Sequence, residues 1–160
     1  MDRKKLKIAV VGLGYVGLPL AIEFAKKGVS VAGIEIDQSR LRQIKRKKSY
    51  ISDVSDREFK SVLAKGNFSA TSDFSILKDC QAVLICVPTP LKRRFLPDIS
   101  YIKGAVNSVA KHIKKGALVI LESTTYPGTT EEEILPIFHE HNLRHGRDFY
   151  LCFSPERIDP

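Results

Sequence analysis

The sequence is poor in everything that would place it in a membrane or an oxidising compartment. No apolar run in its 160 residues approaches the roughly 20 residues needed to cross a bilayer. The N-terminus, MDRKK, is charged, but the apolar stretch after it is broken by glycines and has no small-residue cleavage site. It reads as a first strand and not as a secretion signal. The three cysteines, Cys80, Cys86 and Cys152, show no CxxC or other metal-binding spacing. Buried, reduced thiols in a cytoplasmic protein are the expectation, and none has an activating neighbour in sequence. His139, His141 and His145 lack the one-face HxxxH spacing with an acid partner. They read as surface or helix-capping residues, and no metal site is expected. Repeats, low-complexity tracts and interdomain linkers are missing as well. The length suits one domain with a real core.

Acid is also in short supply. There are 18 Asp and Glu against 26 Lys and Arg, a formal charge of +8. Such a balance can indicate nucleic acid, anionic lipid or a phosphorylated ligand. The densest cluster is RLRQIKRKK at Arg40–Lys48, in which Leu41 and Ile44 stand three apart. That spacing makes it an amphipathic helix with a solvated basic face, so neither nucleic acid nor membrane is expected as a partner. Lys92-Arg93-Arg94 is a second cluster, in a loop. It is either a solvated tip or the flank of a diphosphate.

What the sequence does have is KIAVVGLGYVG at Lys7–Gly17. An apolar strand, Ile8–Val11, runs straight into Gly12-x-Gly14-x-x-Gly17, and a helix pattern follows. Gly12 allows the tight turn, Gly14 lets a pyrophosphate approach the backbone, and Gly17 lets the helix pack against the strand. The helix start, with Tyr15 and Val16, presents N–H groups to an anion. Gly28 ends this helix and Val29–Ile36 is a second strand. Glu35 lies near its carboxyl end, about 20 residues past the glycines, where a ribose-binding acid is expected. A carboxylate there repels a 2′-phosphate, so NAD is favoured over NADP. Arg40 complicates this, because an arginine nearby can serve a 2′-phosphate. Asp37 reads as the N-cap of the next helix.

Ser55-x-x-Glu58 reads as a capping box, Phe68–Thr71 as a short strand and Asp73 as the cap of a short turn. Ala82–Val87 is an apolar strand stopped by Pro88-Thr89-Pro90. Ser100 is expected to cap a helix with Ile102, Ala105, Val106, Val109, Ala110 and Ile113 on its buried face, ended by Gly116. Ala117–Leu121 is the next strand. Glu122–Thr130 is a hydroxyl-rich loop, and Thr130-x-x-Glu133 reads as a capping box before a last helix. Phe149–Phe153 is the final strand. Short apolar strands alternating with amphipathic helices predict an α/β fold, a doubly wound parallel sheet of the Rossmann kind in the order 3-2-1-4-5-6. The glycine turn, Glu35, Pro88–Pro90, Ser123–Thr125 and Ser154–Glu156 then converge at the carboxyl ends of strands.

The segments GLGYVGLPLA, CVPTPL, PDISYI, ESTTYPGTT and FSPERIDP together resemble the UDP-glucose/GDP-mannose dehydrogenase family. They are most similar to its branch acting on UDP-N-acetylglucosamine and UDP-N-acetylmannosamine. The resemblance spans nearly the whole chain but only the N-terminal, NAD-binding domain of such enzymes. It implies oxidation of a sugar C6 alcohol to the carboxylate with two NAD, for polysaccharide biosynthesis, and a homodimeric whole protein. It implies cofactor contacts from Gly12, Gly14, Tyr15, Val16 and Gly17, from Glu35 and Arg40, and from Val87, Pro88 and Thr89. Thr124 matches a threonine that lines the cofactor and helps hold a catalytic water. Glu156 matches a glutamate that assists thioester hydrolysis, and Arg157 gives the SPER form of the acetamido-sugar branch. Pro160 stands where glucose-type relatives carry a further glutamate. The family's nucleophilic cysteine has no counterpart, since no GGxC-like segment is present. With residues 1–160 as the NAD-binding domain alone, the expectation is a piece of a longer enzyme that binds NAD without turnover. The rivals are another Rossmann dehydrogenase of the 6-phosphogluconate or hydroxyacid type, and a non-catalytic NAD-sensing module.

Overall fold

The computed structural model describes residues 6–91 and 97–155. Six strands form one parallel sheet: β1 (Lys7–Val11), β2 (Ser30–Ile34), β3 (Phe68–Thr71), β4 (Ala82–Ile85), β5 (Ala117–Leu121) and β6 (Phe149–Phe153). Their order, β3-β2-β1-β4-β5-β6, is the predicted doubly wound one. Helices α1 (Gly17–Lys26), α2 (Gln38–Lys45), α3 (Asp56–Ala64), α4 (Ser100–Ala110) and α5 (Leu135–Glu140) fill the crossovers, except that from β3 to β4, which holds a short 3-10 helix, Phe74–Asp79. Right-handed crossovers put the helices of each half on opposite faces of the sheet. Among the described residues, no helix is long and apolar enough to cross a membrane.

The strands alternate their side chains between two cores. From β1, Ile8 and Val10 join α1, Ile44 of α2 and Phe59 and Val62 of α3. Ala9 and Val11 face the other way, toward α4, Phe138 of α5 and Leu77. That is the period-2 rule at work in strands buried on both faces. Phe59, Phe138 and Phe149 are fully buried, and Phe138 stacks on Phe149 with centroids 4.2 Å apart. Each such ring contributes about 1.5–3 kcal/mol by leaving water. Gly33, in mid-strand, marks a tight spot. A Cβ there would lie 2.8 Å from the Leu13 side chain, which is itself fully buried beneath the glycine turn.

Several local expectations change. Residue 100 is not the cap of α4, because the Asp98 carboxylate accepts the Ser100 N–H at 3.0 Å. That helix stops at Ala110, and Gly116 (φ 78°) instead serves the turn into β5. Thr130-x-x-Glu133 forms no capping box. The chain enters a π-helical turn, Thr129–Ile134, through Gly128 in a left-handed conformation, without a side-chain cap. Glu133 pairs with Lys103 of α4, and the Thr129 hydroxyl donates to the Tyr126 carbonyl. Ser55 does accept the Glu58 N–H, but the Glu58 carboxylate turns to Lys26 of α1. Asp37 caps α2 as expected, accepting from Ser39 and Arg40. Strand β2 starts one residue later and ends two earlier than predicted, and β4 ends two residues early, although the Cys86 N–H still donates to the Val11 carbonyl. Cys80 and Cys86 are buried, whereas Cys152 is exposed on the edge strand β6.

Candidate functional site

The glycine turn meets three different steric demands. Gly12 has φ 88°, and a Cβ on it would sit 2.6 Å from the Cys86 carbonyl oxygen. A Cβ on Gly17 would lie 1.8 Å from the Gly12 carbonyl oxygen. Gly14 differs, since its nearest neighbour would be the Arg40 guanidinium at 3.9 Å. Its side faces open space. Among the described residues, the N–H groups of Gly14, Tyr15 and Val16 enter no hydrogen bond outside the regular elements. They adjoin the N-terminus of α1, which Val16 opens without a side-chain cap. Free N–H groups and a positive helix end make a cradle for an anion.

Glu35 follows β2 and is 4% exposed. Its Oε2 accepts the Leu13 N–H at 3.2 Å and Arg40 Nη1 at 3.2 Å, and its Oε1 accepts the Asp37 N–H at 3.0 Å. Two carboxylate oxygens offer about four acceptor directions, of which three are taken, so Oε1 can still receive one hydroxyl donor. Arg40 lies over the Tyr50 ring, 5.7 Å from its centroid. Burial, with a further push from Glu35, raises the Tyr50 phenol well above its ordinary value, so it stays protonated.

These groups open on one crevice of about 1050 Å³, at the upper end of the usual range for small-molecule sites. One end holds Glu35 and Arg40, and the middle holds Gly12, Gly14, Tyr15 and Val16. The far end holds Val87, Pro88, Thr89 and Thr124. Gly17 lies behind the wall and takes no part in the lining. Glu156 and Lys92-Arg93-Arg94 fall outside the described residues. Among those described, no cluster of His, Cys, Asp and Glu could hold a metal ion.

The Ser123–Thr125 loop was expected at the site, but the brace it makes, and the parts played by α4 and Tyr50, were not. The buried Ser123 hydroxyl donates to the Val87 carbonyl at 2.7 Å, bracing the loop after β5 against the loop after β4. Tyr101, Gly104 and Ser108 bring one face of α4 to the crevice. Their three-and-four spacing with small residues marks a second stripe on the helix, beside the apolar one. Tyr50 reaches the turn from a connector that carries no motif. An open, N–H-lined middle, a carboxylate at one end and hydroxyls at the other fit an extended dinucleotide.

The comparisons agree with that geometry. A sequence profile of the UDP-glucose/GDP-mannose dehydrogenase family, NAD binding domain, matches residues 6–160. A UDP-N-acetyl-D-glucosamine 6-dehydrogenase of Pseudomonas aeruginosa is 42% identical over 158 residues, 98% of this chain and 36% of its own length. A UDP-N-acetyl-D-mannosamine dehydrogenase of Pyrococcus horikoshii is 42% identical over 156 residues, 97% of this chain and 37% of its own. A solved structure of the UDP-D-ManNAc dehydrogenase from P. horikoshii superposes with a TM-score of 0.89 at 41% identity, covering 97% of this chain and 37% of that one. The chain thus spans a little over a third of the length of these relatives. With the profile matched from the first strand to the last residue and the glycine turn, carboxylate and loops on one crevice, the chain belongs to the UDP-glucose/GDP-mannose dehydrogenase family, as its NAD-binding domain.

Proposed function

We propose that residues 1–160 are the cofactor-holding domain of a nucleotide-sugar 6-dehydrogenase acting on a UDP-N-acetylhexosamine, with the crevice as the NAD site. The observation that carries the site assignment is the single crevice joining Glu35, the Gly12–Val16 turn and Thr124. In this reading the N–H groups at Gly14–Val16 hold the pyrophosphate. Glu35 accepts from a ribose hydroxyl, and its charge, only partly offset by Arg40, disfavours a 2′-phosphate. Pro88 and Thr89 wall the nicotinamide end, and Val87 is fixed there by Ser123. The Thr124 hydroxyl orients a water beside the reacting carbon, and Glu156 assists hydrolysis of the thioester by drawing on that water's proton. Bound NAD supplies the hydride acceptor. The nucleophile and the sugar-binding groups belong to further domains, the whole protein is a homodimer, and it works in the cytoplasm. The UDP-N-acetylhexosamine dehydrogenases among its relatives support the substrate class.

The test is NAD binding by the purified chain and by Gly14→Ala. At NAD a hundredfold above Kd, the wild type gains about 2.7 kcal/mol. That is a rise of about 5–10 °C in Tm for a chain of this size. Gly14→Ala has room for its methyl and melts as the wild type does, but binds NAD at least tenfold more weakly. No shift for the wild type at millimolar NAD would sink the reading. The chain alone gives no steady oxidation of UDP-N-acetylglucosamine.

A further inference from the structure

Leu13 is held from three directions. Its side chain is fully buried against Gly33, its N–H donates to Glu35, and its carbonyl accepts the Tyr50 hydroxyl at 2.8 Å. The third contact bears on Gly14. The Leu13 carbonyl and the Gly14 N–H belong to one planar peptide, and no peptide among the described residues is cis. In a trans peptide these two groups point in opposite directions. Gly14 lines the crevice, while Leu13 and Tyr50 do not. A carbonyl pulled toward Tyr50 therefore turns the Gly14 N–H toward the crevice. The pull is needed, because a glycine neighbour leaves this peptide freer to rotate than any other residue would.

We infer that Tyr50 is a positioning residue for the diphosphate of a bound nucleotide: by holding the Leu13 carbonyl, its hydroxyl aims the Gly14 N–H at the phosphate oxygens. The inference rests on the crevice being the nucleotide site. The phenol stays protonated across the working pH range and so remains a donor throughout. The tyrosine ring has a second, separable task, since its face supports the Arg40 guanidinium at the ribose end. Ring and hydroxyl thus serve two neighbouring parts of one ligand, and Tyr50→Phe removes only the hydroxyl's part.

The experiment compares adenosine, ADP and NAD as calorimetric ligands of the wild type and Tyr50→Phe. Loss of one hydrogen bond's influence predicts ADP and NAD each roughly fivefold weaker in the variant, with adenosine unchanged. Weakening of all three alike, as general loosening of the fold would give, overturns the inference, and so does an unchanged ADP affinity. Absence of NAD and ADP binding in the wild type would overturn the cofactor site itself, which separates the two failures. Should Tyr50→Phe fold poorly, the wild type answers alone. Its Gly14 amide resonance is expected to move on adding ADP but not adenosine, and a resonance that ignores ADP refutes the proposed aim of that N–H.

Discussion

Replacing Gly17 by alanine puts the packing of α1 against β1 to a quantitative test. The new Cβ would lie 1.8 Å from the Gly12 carbonyl oxygen, where ordinary contact begins at 3.4 Å, and 3.2 Å from the Cys86 Cβ. Both ends of the worst clash are backbone, so no rotamer relieves it. The helix would have to lift by about 1.5 Å, yet Leu18, Ala21, Ile22 and Ala25 are each no more than 1% exposed. Overpacking of this kind costs about 3 kcal/mol. Alanine's better helix propensity returns up to about 1 kcal/mol. The net of about 2 kcal/mol predicts a Tm lower by about 4–8 °C in a chain of this length. Gly104→Ala in α4 is the internal control, because its methyl meets nothing within 4 Å. There the propensity gain stands alone and Tm rises by about 2–4 °C. Differential scanning calorimetry of both variants decides the matter. A Gly17→Ala protein melting at or above the wild type would refute the steric account of the third glycine.

Glu35→Gln removes the charge that faces the ribose and leaves Arg40 without its carboxylate partner, so the NAD-over-NADP affinity ratio falls by about tenfold or more; an unchanged ratio by calorimetry counts against Glu35 as the discriminator. Asp148 is held below the ordinary carboxylate range, first by the Arg147 side chain and then by the Arg144 N–H. The folded protein therefore binds that proton less readily than the unfolded chain. Its stabilisation is complete above about pH 4 and disappears as pH falls through the lower folded value. Asp148→Asn accordingly melts below the wild type at pH 6, and the gap closes toward pH 2.5; a gap that widens on acidification contradicts this. Of the three thiols only Cys152 is exposed. Partial burial, and Glu122 beside it, hold its thiol above the usual value. One thiol per native chain should react with Ellman's reagent at pH 8, more slowly than free cysteine, and none should in Cys152→Ser. Two fast thiols would show that the buried pair is accessible.

The architecture was legible because each strand is a short apolar run cut off by glycine, proline or a hydroxyl cluster, and because the glycine turn fixes where the winding begins. Glu35 was legible for the same reason: its distance from the glycines is set by one helix and one strand. Local chemistry misled where a tertiary partner outbid it. Thr130 and Glu133 have the right types and spacing for a capping box, but Gly128 delivers the chain in a left-handed turn and Lys103 claims the glutamate. Cys152 sits in an apolar stretch, yet on an edge strand its side chain is exposed. Tyr50 was out of reach, since its bond to Leu13 spans 37 positions and no periodicity encodes such a contact.

The lodging of Leu13 against Gly33 gives positions 13 and 33 a shared volume, because a Cβ at 33 would come within 2.8–3.0 Å of the two leucine methyls. Position 33 can gain bulk only if the leucine surrenders it and the Phe68 ring, at 3.0 Å, gives way as well. A methyl at 33 tolerated alone would tilt the leucine, and with it the peptide that presents Gly14. Cofactor affinity in this domain can therefore drift through exchanges made wholly inside the hydrophobic layer, with every crevice residue unchanged, and a lineage that fills the glycine must both trim the leucine and shift the Phe68 ring.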